Sequence, residues 1–334
     1  MKILVYFSGK LNEPRGTPIR TRNQIKELTK NGFDVFYAGH DVPEGFAPER
    51  VLMLAPPLRR FGQLARFVRE EGIAIVYMQT SAGIWYAPWL RFFTSAKVGI
   101  DFHSRRYQEE HVYKKRATAL TAVLEWLELF LARSLHFGTA VSHTIRDYYL
   151  HSVPRFLVLP VGVDTTLFSS TITPRPDVAL WKGNATLLGY AGNTKWYQGV
   201  EDVLEAFRKA VKARSGAFKF LVIASSGSED VEKYAKEHGI GNDLMILDKQ
   251  PHAEIPTLLA AADILTVVRP SDPVTEYSFP SKLPEYAALG KALIVSRVSD
   301  IGSYIKNGEN GMIVAPGDAA ALERALLAPE DAFS

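Results

Sequence analysis

The stretch Thr186-Leu187-Leu188-Gly189-Tyr190-Ala191-Gly192-Asn193-Thr194-Lys195-Trp196-Tyr197-Gln198-Gly199-Val200-Glu201 decides the fold. It reads as an apolar strand, a loop bounded by Gly192 and Gly199, and the start of a helix over Val200–Ala213. Free amides at a helix N-terminus suit an anion, and Lys195 adds a cation. An ordinary glycine-bearing loop would fit the same letters. Downstream the alternation continues, with strands at Phe218–Ala224, Leu244–Leu247, Ile264–Val268, Ala292–Ser296 and Met312–Ala315 and a helix at Glu254–Ala262. Upstream it has already run once. Lys2–Ser8, Asp34–Gly39, Val51–Ala55, Ile73–Gln79, Lys97–His103, Phe137–Ser142 and Phe156–Pro160 read as strands. Helices are expected over Thr17–Lys30, Leu58–Glu71 and Ala117–Leu135. Strands alternating with helices imply parallel sheets with crossover connections. The Pro-, Ser- and Thr-bearing stretch between the two series reads as a linker. The expected fold class is α/β: two Rossmann-like doubly wound lobes facing a cleft. The N-terminal lobe spans 1–165, the linker 166–184 and the C-terminal lobe 185–334. Ligands of such sheets sit beyond the carboxyl ends of the strands.

Composition narrows the function. The chain has 334 residues, 47% of them hydrophobic, and a net charge of +3. That balance excludes a dedicated nucleic-acid-binding domain and disorder as the main state. The absence of cysteine excludes disulfide scaffolds, thiol nucleophiles and cysteine zinc sites. The first apolar run is too short for a signal segment, so a cytoplasmic address is expected. The charge is uneven: residues 1–165 hold 22 basic and 15 acidic side chains, the remainder 17 and 21. A basic half suits an anionic substrate or membrane surface, and solvated helix faces would give the same excess. No strand is followed by G-x-G-x-x-G, a P-loop or a nucleophile elbow. His103, His143 and His252 lack metal-ligand spacing, so no metal and no cofactor are expected.

Three further loops carry candidate chemistry. Gly16-Thr17-Pro18-Ile19-Arg20 opens the first helix, with Gly16 allowing close backbone approach and Arg20 able to clamp a phosphate or a hydroxyl-rich acceptor. A helix start with a surface arginine looks alike. Asp101-Phe102-His103 ends a strand and is placed for a substrate hydroxyl, or serves as a loop cap. In the segment Glu276-Tyr277-Ser278-Phe279-Pro280-Ser281-Lys282-Leu283-Pro284-Glu285, Ser281 is a candidate N-cap and Gly290 the stop of a short helix. Lys282 and Glu285, three apart, share a face. A diphosphate beside Lys282 and a ribose on Glu285 would use that face; a surface ion pair is the plainer reading.

Taken together, these motifs resemble the retaining glycosyltransferases of the GT-B fold, family 4 in particular, over nearly the whole chain. Gly16–Arg20 looks like the acceptor-side loop. Leu159-Pro160-Val161-Gly162-Val163-Asp164 with Phe168 resembles P-N-G-V-D-x-x-x-F. Gly192–Phe207 resembles the diphosphate loop and its helix, and Pro280–Gly290 the donor-binding glutamate helix. The resemblance implies a nucleotide-sugar donor held by the C-terminal lobe and metal-independent transfer with retention to a glycan or lipid-linked hydroxyl, in the setting of cell-envelope polysaccharide. It implies catalytic roles for Lys282, Lys195, His103 and Glu276. Donor contacts would come from Gly192, Asn193, Gly199, Ser281, Lys282 and Glu285, and acceptor contacts from Gly16, Arg20, Asp101 and His103. Departures are Asn193 where an Arg is usual, Gln198 where a Lys is usual, and Tyr277 eight residues before Glu285, with the acid at Glu276. The chain also ends soon after Leu327, where family members commonly continue into a helix crossing back to the first lobe.

The basic, apolar stretch Leu58–Arg69, the pairs Arg105-Arg106 and Lys114-Lys115-Arg116, and aromatics between Trp85 and Phe93 suggest peripheral contact with anionic membrane. Core packing with solvated arginines would produce the same pattern. Two other functions fit the motifs: a GT-B sugar-nucleotide epimerase, and a non-catalytic partner subunit that binds the nucleotide sugar.

Overall fold

The computed structural model describes residues 1–13, 16–114 and 117–327. Lys115 and Arg116, part of the expected membrane-facing basic cluster, lie outside the described residues, as does the tail from 328. The chain divides into two units, Met1–Gly162 with Tyr277–Phe279, and Val163–Glu276 with Pro280–Ser334.

In the first unit seven short apolar runs form strands: β1 Lys2–Tyr6, β2 Asp34–Gly39, β3 Val51–Met53, β4 Ile75–Met78, β5 Lys97–Phe102, β6 Phe137–Ala140 and β7 Phe156–Val158. They lie in the order β3-β2-β1-β4-β5-β6-β7, and each recorded pairing is parallel. The switch point falls between β1 and β4, where Ile3 pairs with Val35 on one side and Ile75 on the other. The second unit repeats the plan with β8 Thr186–Asn193, β9 Phe218–Ser226, β10 Leu244–Leu247, β11 Ile264–Val267, β12 Ala292–Ser296 and β13 Met312–Val314. Its order is β10-β9-β8-β11-β12-β13, again parallel, with the switch point between β8 and β11. Both orders are those of a Rossmann-type doubly wound sheet. The central strands are buried on both faces, which explains their continuous rather than alternating apolar character.

Two expectations need correction, and for Leu58–Arg69 the core-packing reading holds. The stretch 166–184 is not an open linker: Pro176–Lys182 is a helix, with proline in its first turn, Val178 buried and Gly183 beyond its end at φ +57°. The helix Pro57–Glu70 belongs to the core. Leu64, Ala65 and Val68 are buried, Phe61 and Phe67 pack against them, and Arg60 turns inward to the Ala55 carbonyl and the Tyr6 hydroxyl. Arg105 and Arg106 are held by Glu125 and Glu110. The amphipathic pattern was correctly seen, but its apolar side faces the sheet. Ser281 is not a side-chain cap. Its own φ and ψ, −61° and −24°, are already helical, so its hydroxyl makes no cap bond to the Lys282–Ala288 helix.

Candidate functional site

At the carboxyl end of β8 the backbone turns at Gly192, φ +148°. A Cβ there would stand 2.8 Å from Lys282 Nζ. Only glycine lets the lysine lie across this loop. Lys282 Nζ donates to Gln198 Oε1 at 3.0 Å and lies 4.0 Å from the centre of the Tyr190 ring, a cation–π contact. Tyr190 in turn donates its hydroxyl to the Asn193 carbonyl, and the Asn193 side chain accepts from the Lys195 amide at 3.3 Å. Two of the three departures from the family pattern thus have structural work. Gln198 meets the lysine, and Asn193 shapes the turn. At Gly199, φ +65°, a Cβ would fall 2.0 Å from the Val268 carbonyl oxygen, so the loop closes against the end of β11 only with glycine. Helix Val200–Ala213 follows directly.

A second cation borders the site. Arg269 is buried just beyond β11, its amide donating to Ser296 Oγ at 2.7 Å and its Nε to the Tyr197 carbonyl at 3.3 Å. Burial, and then the Arg269 charge, lower the Lys282 pKa to about 7 against the pull of Glu285. The lysine is therefore poised between its two forms near neutrality. An arriving diphosphate would drive it to the charged one.

One turn along the same helix Glu285 faces His252, whose Nε2 lies 3.0 Å from Glu285 Oε1. The His252 ring packs on Phe168 with centroids 5.4 Å apart. Tyr286 fixes the helix to the loop, its hydroxyl accepting from the Ala191 amide at 2.7 Å. Lys282, Gln198, Arg269, Glu285 and the Gly192 and Gly199 turns thus gather around the β8–β11 switch point. Lys195 is exposed on the loop after Gly192, and Ser281 is exposed before the helix. Glu276 is engaged elsewhere. Its carboxylate accepts from the Ser299 amide at 2.9 Å and the Ser271 hydroxyl at 2.7 Å, holding Ser299 at φ +50°. Tyr277, in the register of the expected acid, lies in the first unit, where its ring and that of Tyr148 are 4.7 Å and 4.3 Å from the Arg105 guanidinium.

In the first unit Asp101, at the carboxyl end of β5, is fully buried. It accepts from Arg20 Nε at 2.8 Å, Arg20 Nη2 at 3.2 Å, Gln24 Nε2 at 2.9 Å and Thr139 Oγ1 at 2.6 Å. His103 Nε2 stands 2.9 Å away. Burial alone would raise the Asp101 pKa, but His103 and Arg20 together outweigh it and hold the carboxyl below the usual range. Arg20, read from the sequence as a cleft-facing clamp, is buried and paired with Asp101. Its other donors go to the Leu159 and Pro160 carbonyls at 2.7 and 2.8 Å, tying helix Gly16–Lys30 to the chain after β7. Asp101 spends its carboxylate on Arg20, Gln24, Thr139 and His103. The partly accessible His103 ring presents Nδ1 3.4 Å from Thr17 Oγ1. Gly16 opens the helix and is exposed.

Sequence reasoning missed Arg269, the role of Gln198, and the His252 partner of Glu285. Arg269 had a signal, a charged residue just past an apolar strand run. Gln198 and His252 had none, because their partners come from distant segments.

Two models of known families match the chain: Glycosyltransferase Family 4 over residues 14–167 and Glycosyl transferases group 1 over 185–328. Glycogen synthase of Mycobacterium tuberculosis is 28% identical over 207 residues, covering 61% of this chain and 47% of that protein. The chain thus spans about half the length of the curated relative it matches. Among solved structures, Anabaena HepE in complex with UDP-glucose superposes with a TM-score of 0.74 at 14% identity, covering 99% of this chain and 91% of the other. Sucrose-phosphate synthase of Thermosynechococcus elongatus does so with a TM-score of 0.74 at 17% identity, covering 100% and 92%. The likeness to these structures is one of fold: two Rossmann-like lobes of the GT-B type. With a glycosyltransferase model on each lobe, the chain belongs to the GT-B glycosyltransferases of the family-4-like type.

Proposed function

We propose that this protein transfers a sugar from a nucleoside-diphosphate sugar to a hydroxyl acceptor, a glycan or a lipid-linked saccharide, with retention at the anomeric carbon and without a metal. The observation that carries this reading is Lys282 lying across Gly192 at the β8–β11 switch point, with Glu285 one turn away. The diphosphate is held by Lys282 and Arg269, with Lys195 contributing from the exposed side of the loop. Glu285, oriented by His252, accepts hydrogen bonds from the ribose hydroxyls. As the bond from the anomeric carbon to the diphosphate oxygen breaks, the departing charge falls on cations already in place, usually the largest electrostatic contribution to such a step. The acceptor oxygen bonds to the same face of that carbon, and its proton passes to the leaving phosphate. His103, oriented by Asp101, holds a hydroxyl of acceptor or sugar. Arg20, Asp101 and Glu276 act as positioning residues.

The glycogen synthase relative, and the neighbours solved with UDP-glucose or named as a sucrose-phosphate synthase, support the donor class. The test is a product assay by proton NMR with UDP-, GDP- and ADP-glucose and short glycan acceptors. The expected product carries the donor's anomeric configuration, and Lys282→Ala lowers turnover by about a hundredfold or more. Isomerised donor without transfer would instead indicate an epimerase, and donor binding without turnover a partner subunit.

A further inference from the structure

Helix Thr118–Ala132 is apolar almost all round, yet only one side of it is covered. Thr121, Glu128 and Ala132 are buried, and Glu125 is forked by Arg105 at 2.9 Å. No charged side chain of this helix is left on its outer side. There Leu120, Val123, Trp126 and Phe130 are exposed, Trp126 at 63%. Spacings of three and four residues align them as one stripe. Trp126 stacks on Phe130 with centroids 5.8 Å apart. Helix Ala87–Phe93 packs alongside. Arg91 Nη1 donates to the Ser134 carbonyl at 3.0 Å, just past the end of the long helix. This neighbour adds Phe92, 82% exposed, and the pair Trp89 and Phe93. Two adjacent helices thus present bare aromatic rings, which a soluble surface rarely does without a partner.

We propose that this face lies on an anionic lipid surface. Cations flank it: Lys114 before the long helix, Arg133 after it, and Arg91 beside Phe92 are all exposed. The first 165 residues carry seven more basic than acidic side chains. A second copy of the chain would bring the same sign of charge to the same face, whereas anionic headgroups complement it. Aromatic and aliphatic side chains inserted below the headgroups, with cations at their level, are the arrangement of an interfacial helix. Of the surface the sequence suggested, this face keeps Trp89, Phe92, Phe93 and Lys114, and the long helix takes the place of helix Pro57–Glu70, which spends its apolar side on the core. It is also independent of the donor site.

Flotation of the full chain with phosphatidylcholine vesicles, with and without phosphatidylglycerol, tests this. The protein is expected to float with the anionic vesicles at low salt and to be released by high salt. Trp126→Ser with Phe130→Ser is expected to weaken flotation about tenfold or more. Leu180→Ser, on an exposed residue of helix Pro176–Lys182 in the second unit, leaves flotation unchanged. Both variants are at exposed positions, and far-ultraviolet circular dichroism verifies their folding. The proposal is overturned by absence of flotation on anionic vesicles, by equal flotation of the double variant, or by a dimer in light scattering that the double variant dissolves.

Discussion

Lys282 is held by three neighbours chosen for different reasons: a glycine that leaves room for it, a tyrosine ring that favours its charge, and an arginine that disfavours it. With its pKa at about 7 instead of 10.5, it would take up a proton on binding a diphosphate, as the proposed function requires. Donor affinity is therefore expected to fall as pH rises above about 7, which a titration of the dissociation constant between pH 6 and 9 checks. Stability moves the other way. Between pH 7 and 10.5 the unfolded chain holds this proton and the folded one does not, so this residue's share of stability rises with pH across that window. Lys282→Met removes both trends. Gly199→Ala should be costly in a different way, because its Cβ would meet a backbone carbonyl at 2.0 Å and φ +65° disfavours a side chain. A loss of about 2 kcal/mol or more is expected in urea unfolding; a loss below half of that would mean that the loop can open without strain.

At the scale of elements, one buried carboxylate organises the carboxyl end of the first sheet. Asp101 collects helix Gly16–Lys30, β6 and the chain after β7 through Arg20 and Thr139. Asp101→Ala leaves Arg20 buried and unpaired, and a loss of roughly 3–5 kcal/mol is expected. A near-neutral result in denaturant titration would remove Asp101 from this role. Helix Thr118–Ala132 carries the opposite case. Burial, against the Ser81 hydroxyl and Arg106, pushes Glu128 up to about 7. Between pH 4.5 and 7 the folded state holds a proton that the unfolded state has released, so stability falls as pH rises through that window. Glu128→Gln is expected to raise stability at pH 8 by an amount on the order of 3 kcal/mol and to flatten that slope, as thermal melts at pH 5 and pH 8 would show.

For the whole molecule, the two sheets were legible because parallel strands buried on both faces write themselves as continuous apolar runs separated by helical periods. The helices at Arg106–Lys114, His143–Tyr149 and Ser228–His238 escaped notice, since short polar helices leave a weak period. That Gly192 and Gly199 bound one loop and that Lys282 and Glu285 share one short helix was readable, because a glycine turn and a helix face are local facts. Arg20 was not, as its partner Asp101 lies 81 residues away in the sequence. Nor could the pattern Leu58–Arg69 say whether its apolar side would meet the sheet or a membrane, which depends on what folds against it. A single calorimetric titration decides whether the β8–β11 switch point grips a nucleoside diphosphate. UDP, GDP and ADP are injected into the native chain and into Lys282→Met, each in two buffers of different ionisation enthalpy. One of the three should bind the native protein with net proton uptake, and Lys282→Met should lose both the uptake and most of the affinity. Equal binding by native and variant chains, or no binding of any of the three, would show that the site has another purpose.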